Sequence, residues 1–299
     1  MASETTTNGL SGVRPTKGPS SVILQVHDNA IMQGFVNWQD STGYAATTQA
    51  RATSTTSATA VSNGANEADA QSNSELTTSV STATPAMKAV FVVLSMISQL
   101  TSSVNLKDFA AKTIGIALAN KLDTDISALF GGFSTVVGDS GVAMSVSNAI
   151  TATMNLRVNA GNRAGDAVWC LHPKQLADLR TSAGSNTSPF AARMLDEFDP
   201  RFGVAARSNM HGLLEGYPCF SSTLVGTVNA GADRGGALMV IPSEAGPGAA
   251  IGGAMIALQQ GGEGSMLSQQ QLADAMSGWS AYGVIEEMDV FGVLVQSDA

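Results

Sequence analysis

Few residues in this 299-residue chain have the types and spacing that catalysis or metal binding requires. Cys170 and His172 come nearest, a thiol and an imidazole two positions apart. On a strand such residues face the same side, where they could serve as nucleophile and base. Trp169 and Leu171 flank them as core neighbours would, and Pro173 follows at once. The better reading therefore has Cys170 as core and His172 capping the next turn. Gly138-Asp139-Ser140-Gly141 falls one residue short of a G-x-S-x-G nucleophile elbow. Gly246-x-Gly248-x-x-x-Gly252 approaches a dinucleotide loop, but its spacing is wrong and no acidic residue follows at the required distance. Asp196, Glu197 and Asp199, just before Pro200, read as a solvated helix end rather than a metal site. His27 and His211 have no plausible partner nearby in sequence, and Cys170 and Cys219 form no C-x-x-C or Cys/His set. No Walker A loop or H-E-x-x-H helix is present. These residues predict no enzyme, no cofactor and no metal. A small hydrolase using Cys170 or Ser140 is the competing reading from another class.

The elements around these residues are better marked. Residues 1–21, with Gly9, Gly12, Pro15, Gly18 and Pro19 among Ser and Thr, read as an extended arm. An apolar patch from Val22 to Trp38 then docks that arm onto the body or onto a neighbour. Residues 44–85 are rich in Thr, Ser, Ala and Asn, with bulky apolar residues nearly absent. Leu76, Thr78, Val80, Thr82 and Thr84 alternate at the period of a strand, and Ser62-Asn63-Gly64 offers a turn. The expectation is a projecting β-hairpin with too little apolar surface to stand alone. Its contacts with a neighbour fall to Arg51, Glu67, Asp69, Glu75, Leu76 and Val80, with Trp38 as a candidate in the arm patch.

Beyond Pro85, Val90 to Leu94 read as a buried strand. Leu106, Ala110, Ile114, Leu118, Leu122, Ile126 and Leu129 recur at i, i+4 and predict a helix of about 25 residues, about 37 Å long. Asn105 suits its N-cap and Gly131-Gly132 its stop. Lys107, Asp108, Lys112, Asn120, Lys121 and Asp123 are read as lying mostly off the apolar stripe. Val146, Ile150, Met154 and Val158 predict a second helix ending at Gly161. A strand at Ala167 to Leu171 leads through His172-Pro173 into a helix bearing Leu176 and Leu179. Paired short strands span Leu213 to Leu224, and Ala237 to Ile241 forms another. Gly246 to Gly253 reads as a loop. Met255 to Leu258 and the strands Ala281 to Met288 and Val290 to Val295 close the chain. The fold class is α+β.

The bulk composition agrees with a protein that meets its own copies. Charged residues make up 13%, about half the usual share, and interfaces are depleted in Lys and Glu. The net charge is −9 and the 15 basic residues never cluster, which argues against tight nucleic-acid binding. No signal peptide is legible in residues 1–21. The most apolar run, Ala89 to Ile97, is far shorter than the roughly 18–20 residues of a membrane span.

The order of segments resembles the Hong Kong 97-type capsid fold of tailed-phage major capsid proteins, over residues 44–299. "TPAMKAVFVVLSMIS" (84–98) is similar to the return of that family's extended loop, and "NLKDFAAKTIGIALANKLDTDISALFGG" (105–132) to its spine helix. "AVWCLHPKQLADLR" (167–180) and "LLEGYPCFSSTLV" (213–225) resemble the strand–turn–helix and strand pair of its axial domain. The resemblance implies an N-terminal arm (1–43), an extended β-hairpin loop (44–87), a peripheral domain with the long spine helix (88–134) and a mixed α/β axial domain (135–240). Residues 241–299 would return through both domains as closing strands. It further implies self-assembly into hexamers and pentamers around double-stranded DNA, with a separate scaffolding protein, a portal protein and, as a further candidate, a decoration protein as partners. It likewise implies that no membrane is involved and that the location is the virion capsid, assembled in host cytoplasm. Some members cross-link through a loop lysine; residues 44–87 hold none, so a non-covalent shell is expected. The apolar content before residue 44 is too short for a cleaved scaffolding domain, so little or no processing is expected. Encapsulin nanocompartments share the fold and are the nearest alternative. A decoration or tail-tube protein would not need the long helix.

Overall fold

The computed structural model describes residues 30–40, 49–54, 78–102, 105–182, 190–191, 208–243, 248–264 and 273–298. Its first helix, α1, is short (Met96–Thr101), and the second, α2 (Leu106–Ser127), is the long helix expected from the i, i+4 stripe. Ala110, Ile114, Leu118, Leu122 and Ile126 are all buried. Asn105 caps the helix by accepting the Lys107 amide at 3.2 Å, and its own amide donates to Asp108 at 2.9 Å. With 22 residues the helix runs about 33 Å. It ends four residues before Gly131. The i→i+3 bonds from Leu129 to Ile126 and Gly132 to Leu129 tighten the chain into a 3-10 turn, Phe130–Gly132, that carries Phe130 and Phe133 into the core. One off-stripe assignment fails. Asp123 is buried, because the row Gly115, Ala119, Asp123, Ser127 forms a second inward face of small residues beside the large ones.

A four-stranded sheet lies against α2 in the order β1-β12-β13-β4. It contains β1 (Val36–Asp40), β4 (Ala86–Ser95), β12 (Ile251–Gly264) and β13 (Ala273–Glu286). Only the β1–β12 pairing is parallel. Strands β12 and β13 are longer than the sequence suggested, and β12 begins at Ile251, so Gly252 and Gly253 belong to it rather than to a loop. Gly253 is required there: a Cβ would stand 2.6 Å from the Trp38 ring. Strand β4 departs from the buried-strand expectation. Val90, Val92 and Leu94 pack on the core, whereas Met87, Phe91 and Val93 point outward, Phe91 being 73% exposed. An all-apolar run on a strand has two apolar faces, and the chain covers one.

Strands β2 (Gln49–Ser54) and β3 (Thr78–Ala83) pair antiparallel with each other as a separate two-stranded ribbon. The turn expected at Ser62-Asn63-Gly64 lies outside the described residues.

The larger sheet runs β5-β14-β11-β6-β9-β8-β7, with β10 beside β11. Its strands are β5 (Val136–Val137), β6 (Ala167–Leu171), β7 (Phe190–Ala191), β8 (Met210–Leu214), β9 (Tyr217–Ser221), β10 (Thr227–Val228), β11 (Asp233–Val240) and β14 (Gly292–Asp298). Every residue of β6 is buried, as its sequence required. Helices α3 (Val146–Ala160) and α4 (Pro173–Ser182) flank this sheet. Ser145 caps α3 by accepting the Asn148 amide, and Gly161 ends it at positive φ. The helix expected from Val146, Ile150, Met154 and Val158 is present, and its buried face is made mainly of small residues. Ala149, Ala152, Thr153, Leu156 and Ala160 pack inward, while Ile150, Met154 and Val158 face out. Small residues let the helix approach closely, leaving the large ones uncovered.

Candidate functional site

The chemically capable residues that lie among the described ones are held in the packing, caps and turns of the fold. Cys170 and Cys219 are fully buried, and burial pushes both thiols well above their usual range. The His172 ring Nδ1 accepts the Lys174 amide at 3.2 Å, and Gln175 Oε1 accepts the His172 amide at 3.0 Å. The two side chains cap α4, and the imidazole is not bonded to the thiol. Ser140 donates to Asp233, which also accepts from Gly141 N at 2.8 Å and Asn229 Nδ2 at 2.5 Å. These hydrogen bonds, that from Asn229 first, hold the Asp233 carboxyl below its usual range. A carboxylate held low by several hydrogen bonds is a weak base, so it does little to activate the Ser140 hydroxyl bonded to it.

His211 does have a partner, contrary to the sequence reading. Its Nε2 lies 2.7 Å from Ser221 Oγ across the β8–β9 pair, His211 being the extra residue at a register shift between Met210 and Gly212. Among the described residues no carboxylate bonds the ring's other nitrogen, so this pair lacks the third group that orients a catalytic imidazole. Among the described residues there is also no group of three His, Cys, Asp or Glu that could hold a metal ion. His27, Gly246, Asp196, Glu197 and Asp199 lie outside the described residues.

Contact surfaces are the more telling feature. On the outer face of the four-stranded sheet, Met87 stands opposite Ala281, Ala89 opposite Trp279, and Phe91 opposite Ser277. Directly opposed residues share a face, so Met87, Ala89, Phe91 and Trp279 form one apolar layer, extended by Val93 and broken only by the polar Ser277. The outward stripe of α3 is a second such layer, with Val158 81% exposed. The large residues that mark this helix in the sequence thus lie mostly on its outer face, and its inward face is a stripe of small residues that gives little signal.

The ribbon is rooted firmly. Gly283 lets the carbonyl of Thr84 approach so closely that a Cβ would sit 2.4 Å from it. Four residues on, Lys88 bonds the Tyr282 carbonyl at 3.3 Å and Asp125 at 3.4 Å. Of the contact candidates, Arg51 pairs in register with Ser81, and Val80 with Ala52. Trp38 is packed within the chain: its indole N–H donates to the Gln33 carbonyl at 2.9 Å and its ring meets Tyr282 edge-on at 6.2 Å. Glu67, Asp69, Glu75 and Leu76 lie outside the described residues.

No protein-family model matches the sequence, and no curated protein matches it. Solved structures do. The capsid of Ralstonia phage GP4 aligns with 96% of this chain and 93% of its own at a TM-score of 0.69 and 11% identity. Mycobacterium phage Che8 aligns over 84% of each chain at 0.56 and 15%. An encapsulin complex of Synechococcus elongatus, SrpI, aligns over 99% of this chain and 97% of its own at 0.62 and 9%. The fold is thus the α+β fold of shell-building subunits. It is the Hong Kong 97-type capsid fold that the order of segments implied.

Proposed function

We propose that this chain is the subunit of a closed icosahedral shell, a tailed-phage major capsid protein in kind, whose working sites are contacts with its own copies. The observation that carries this reading is the uncovered apolar layer Met87, Phe91 and Val93 on a ten-residue edge strand. A monomer that left such an edge open would aggregate, whereas a shell covers it. The α3 stripe supplies a second contact, and a subunit of a closed shell needs more than one.

On this reading hexamers and pentamers enclose double-stranded DNA non-covalently and without sequence-specific binding. The ribbon, through Arg51, Glu67, Asp69, Glu75, Leu76 and Val80, lies on an adjacent copy. A scaffolding protein, a portal protein and a decoration protein are the further partners, the virion capsid is the location, and assembly takes place in host cytoplasm. The subunit does no catalysis. The likeness to the SrpI encapsulin favours a second reading, a nanocompartment shell holding protein cargo.

Electron microscopy of the expressed protein, alone and with a scaffold, tests the proposal. Closed particles with five- and six-fold capsomers are the expected result, and a monomer under all conditions overturns it. Particles that hold DNA support the capsid; particles that hold a protein cargo support the nanocompartment. The intact mass of subunits from mature particles should equal that of the full-length chain.

A further inference from the structure

The carboxylate of Asp123 occupies an unusual position. It is buried on α2, and its two oxygens accept the backbone amides of Ile31 and Met32, each at 2.9 Å. Ala30 to Met32 is the start of the first described segment and leads into β1. Among the described residues no basic side chain lies within ion-pair distance of it. With Ile31 it lines a cleft of mixed polarity, whose polar walls are Asn120, Asn209, Ser221, Ser222 and Thr223.

We infer that Asp123 is a proton-linked anchor, which holds the Ala30–Met32 segment more tightly when protonated than when ionised. A charge buried without a cation is costly, and two amide donors offset only part of that cost. Burial accordingly raises the Asp123 pKa to about 6 against the ordinary 3.8, the two amide bonds pulling the other way. When the segment lifts away, the carboxylate is opened to solvent, and its affinity for a proton falls back toward the ordinary value. Docking therefore takes up a proton, and acid favours it. In the protonated form one oxygen still accepts an amide, and the cleft's hydroxyls and amides can receive the acid proton.

The surrounding groups do not reverse this sign. Cys170 on β6 and Tyr282 on β13 face Asp123, and burial keeps both neutral through this range. On its own helix Lys121 and Asp125 are paired with each other at 2.6 Å. His211 bonds Ser221 of the cleft wall, and burial together with Arg180 lowers its pKa. The inference concerns the isolated chain and does not rest on the shell reading.

Hydrogen exchange of the Ile31 and Met32 amides in the full chain, corrected for intrinsic rates, tests it. Linkage between pKa values of about 6 and 3.8 predicts about tenfold more protection at pH 5 than at pH 7.5. The Leu238 and Val240 amides of the central strand β11 serve as references. Asp123→Asn should abolish the difference, and Asp125→Asn, which leaves the anchor in place, should keep it. Equal protection at both pH values in the unaltered protein overturns the inference, even if Asp123→Asn does not fold. So does a tenfold difference that survives in Asp123→Asn.

Discussion

Lys88 Nζ stands 3.9 Å above the centre of the Tyr282 ring, and the hydroxyl of that same tyrosine donates to Asp125 at 3.0 Å. The ammonium also meets Asp125 at 3.4 Å, so strand β4, strand β13 and helix α2 are joined by one cluster at the base of the ribbon. The cation–π contact and the half-buried ion pair act together. Lys88→Met should keep the alkyl packing but lose both, costing about 1–2 kcal/mol. Urea unfolding checks this. A loss within 0.3 kcal/mol would show that the cluster is incidental.

The same root predicts a backbone effect. An alanine at position 283 would set its Cβ 2.4 Å from the Thr84 carbonyl oxygen and 2.7 Å from the carbonyl carbon. Both are main-chain atoms that no rotamer change can move. Gly283→Ala should cost about 2–3 kcal/mol and shift the ribbon's exit direction. Particle yield should fall further than thermal stability alone explains, as measured by sedimentation beside calorimetry.

The two uncovered apolar layers make opposite demands on fold and assembly. Phe91 and Val158 touch solvent in the single chain, so Phe91→Glu and Val158→Glu should each change monomer stability by no more than about 0.5 kcal/mol. A charge buried without a partner at a contact costs several times that, so each should stop particle formation. Light scattering and thermal melting of the two variants separate these effects. Normal particles from both would remove these faces from the assembly reading.

What the sequence made legible followed the strength of each periodic signal. Helix α2 was readable because one row of large residues, Ile114 to Ile126, dominates its stripe. Asp123 was misplaced because a second row, Gly115, Ala119 and Ser127, buries it, and small residues give a weak hydrophobic signal. Helix α3 was readable as a helix, but which of its faces turns inward was hidden for the same reason. Its outward Ile150, Met154 and Val158 outweigh its inward alanines on any hydropathy scale. The extent of β12 was hidden by its glycines, whose place is set by neighbours such as Trp38 rather than by their own propensity. The His211–Ser221 contact depends on a local register shift, which leaves no periodic trace.

The cysteines give the last test, because they separate a structural core from a thiol enzyme. Cys170 and Cys219 lie on the paired strands β6 and β9, where Cys219 stands opposite Trp169 and Cys170 opposite Phe220. Neither exposes any surface, and burial holds both thiols in the protonated form at neutral pH. A thiol reagent such as Ellman's should therefore label neither residue in the folded chain and both in denaturant, so that its rate reports unfolding. Cys170→Ser should place an unpartnered hydroxyl among apolar neighbours and destabilise the chain by about 1–3 kcal/mol, while Cys170→Ala should cost less than the serine. Rapid labelling of Cys170 at neutral pH in the native protein would contradict its burial and reopen the nucleophile reading.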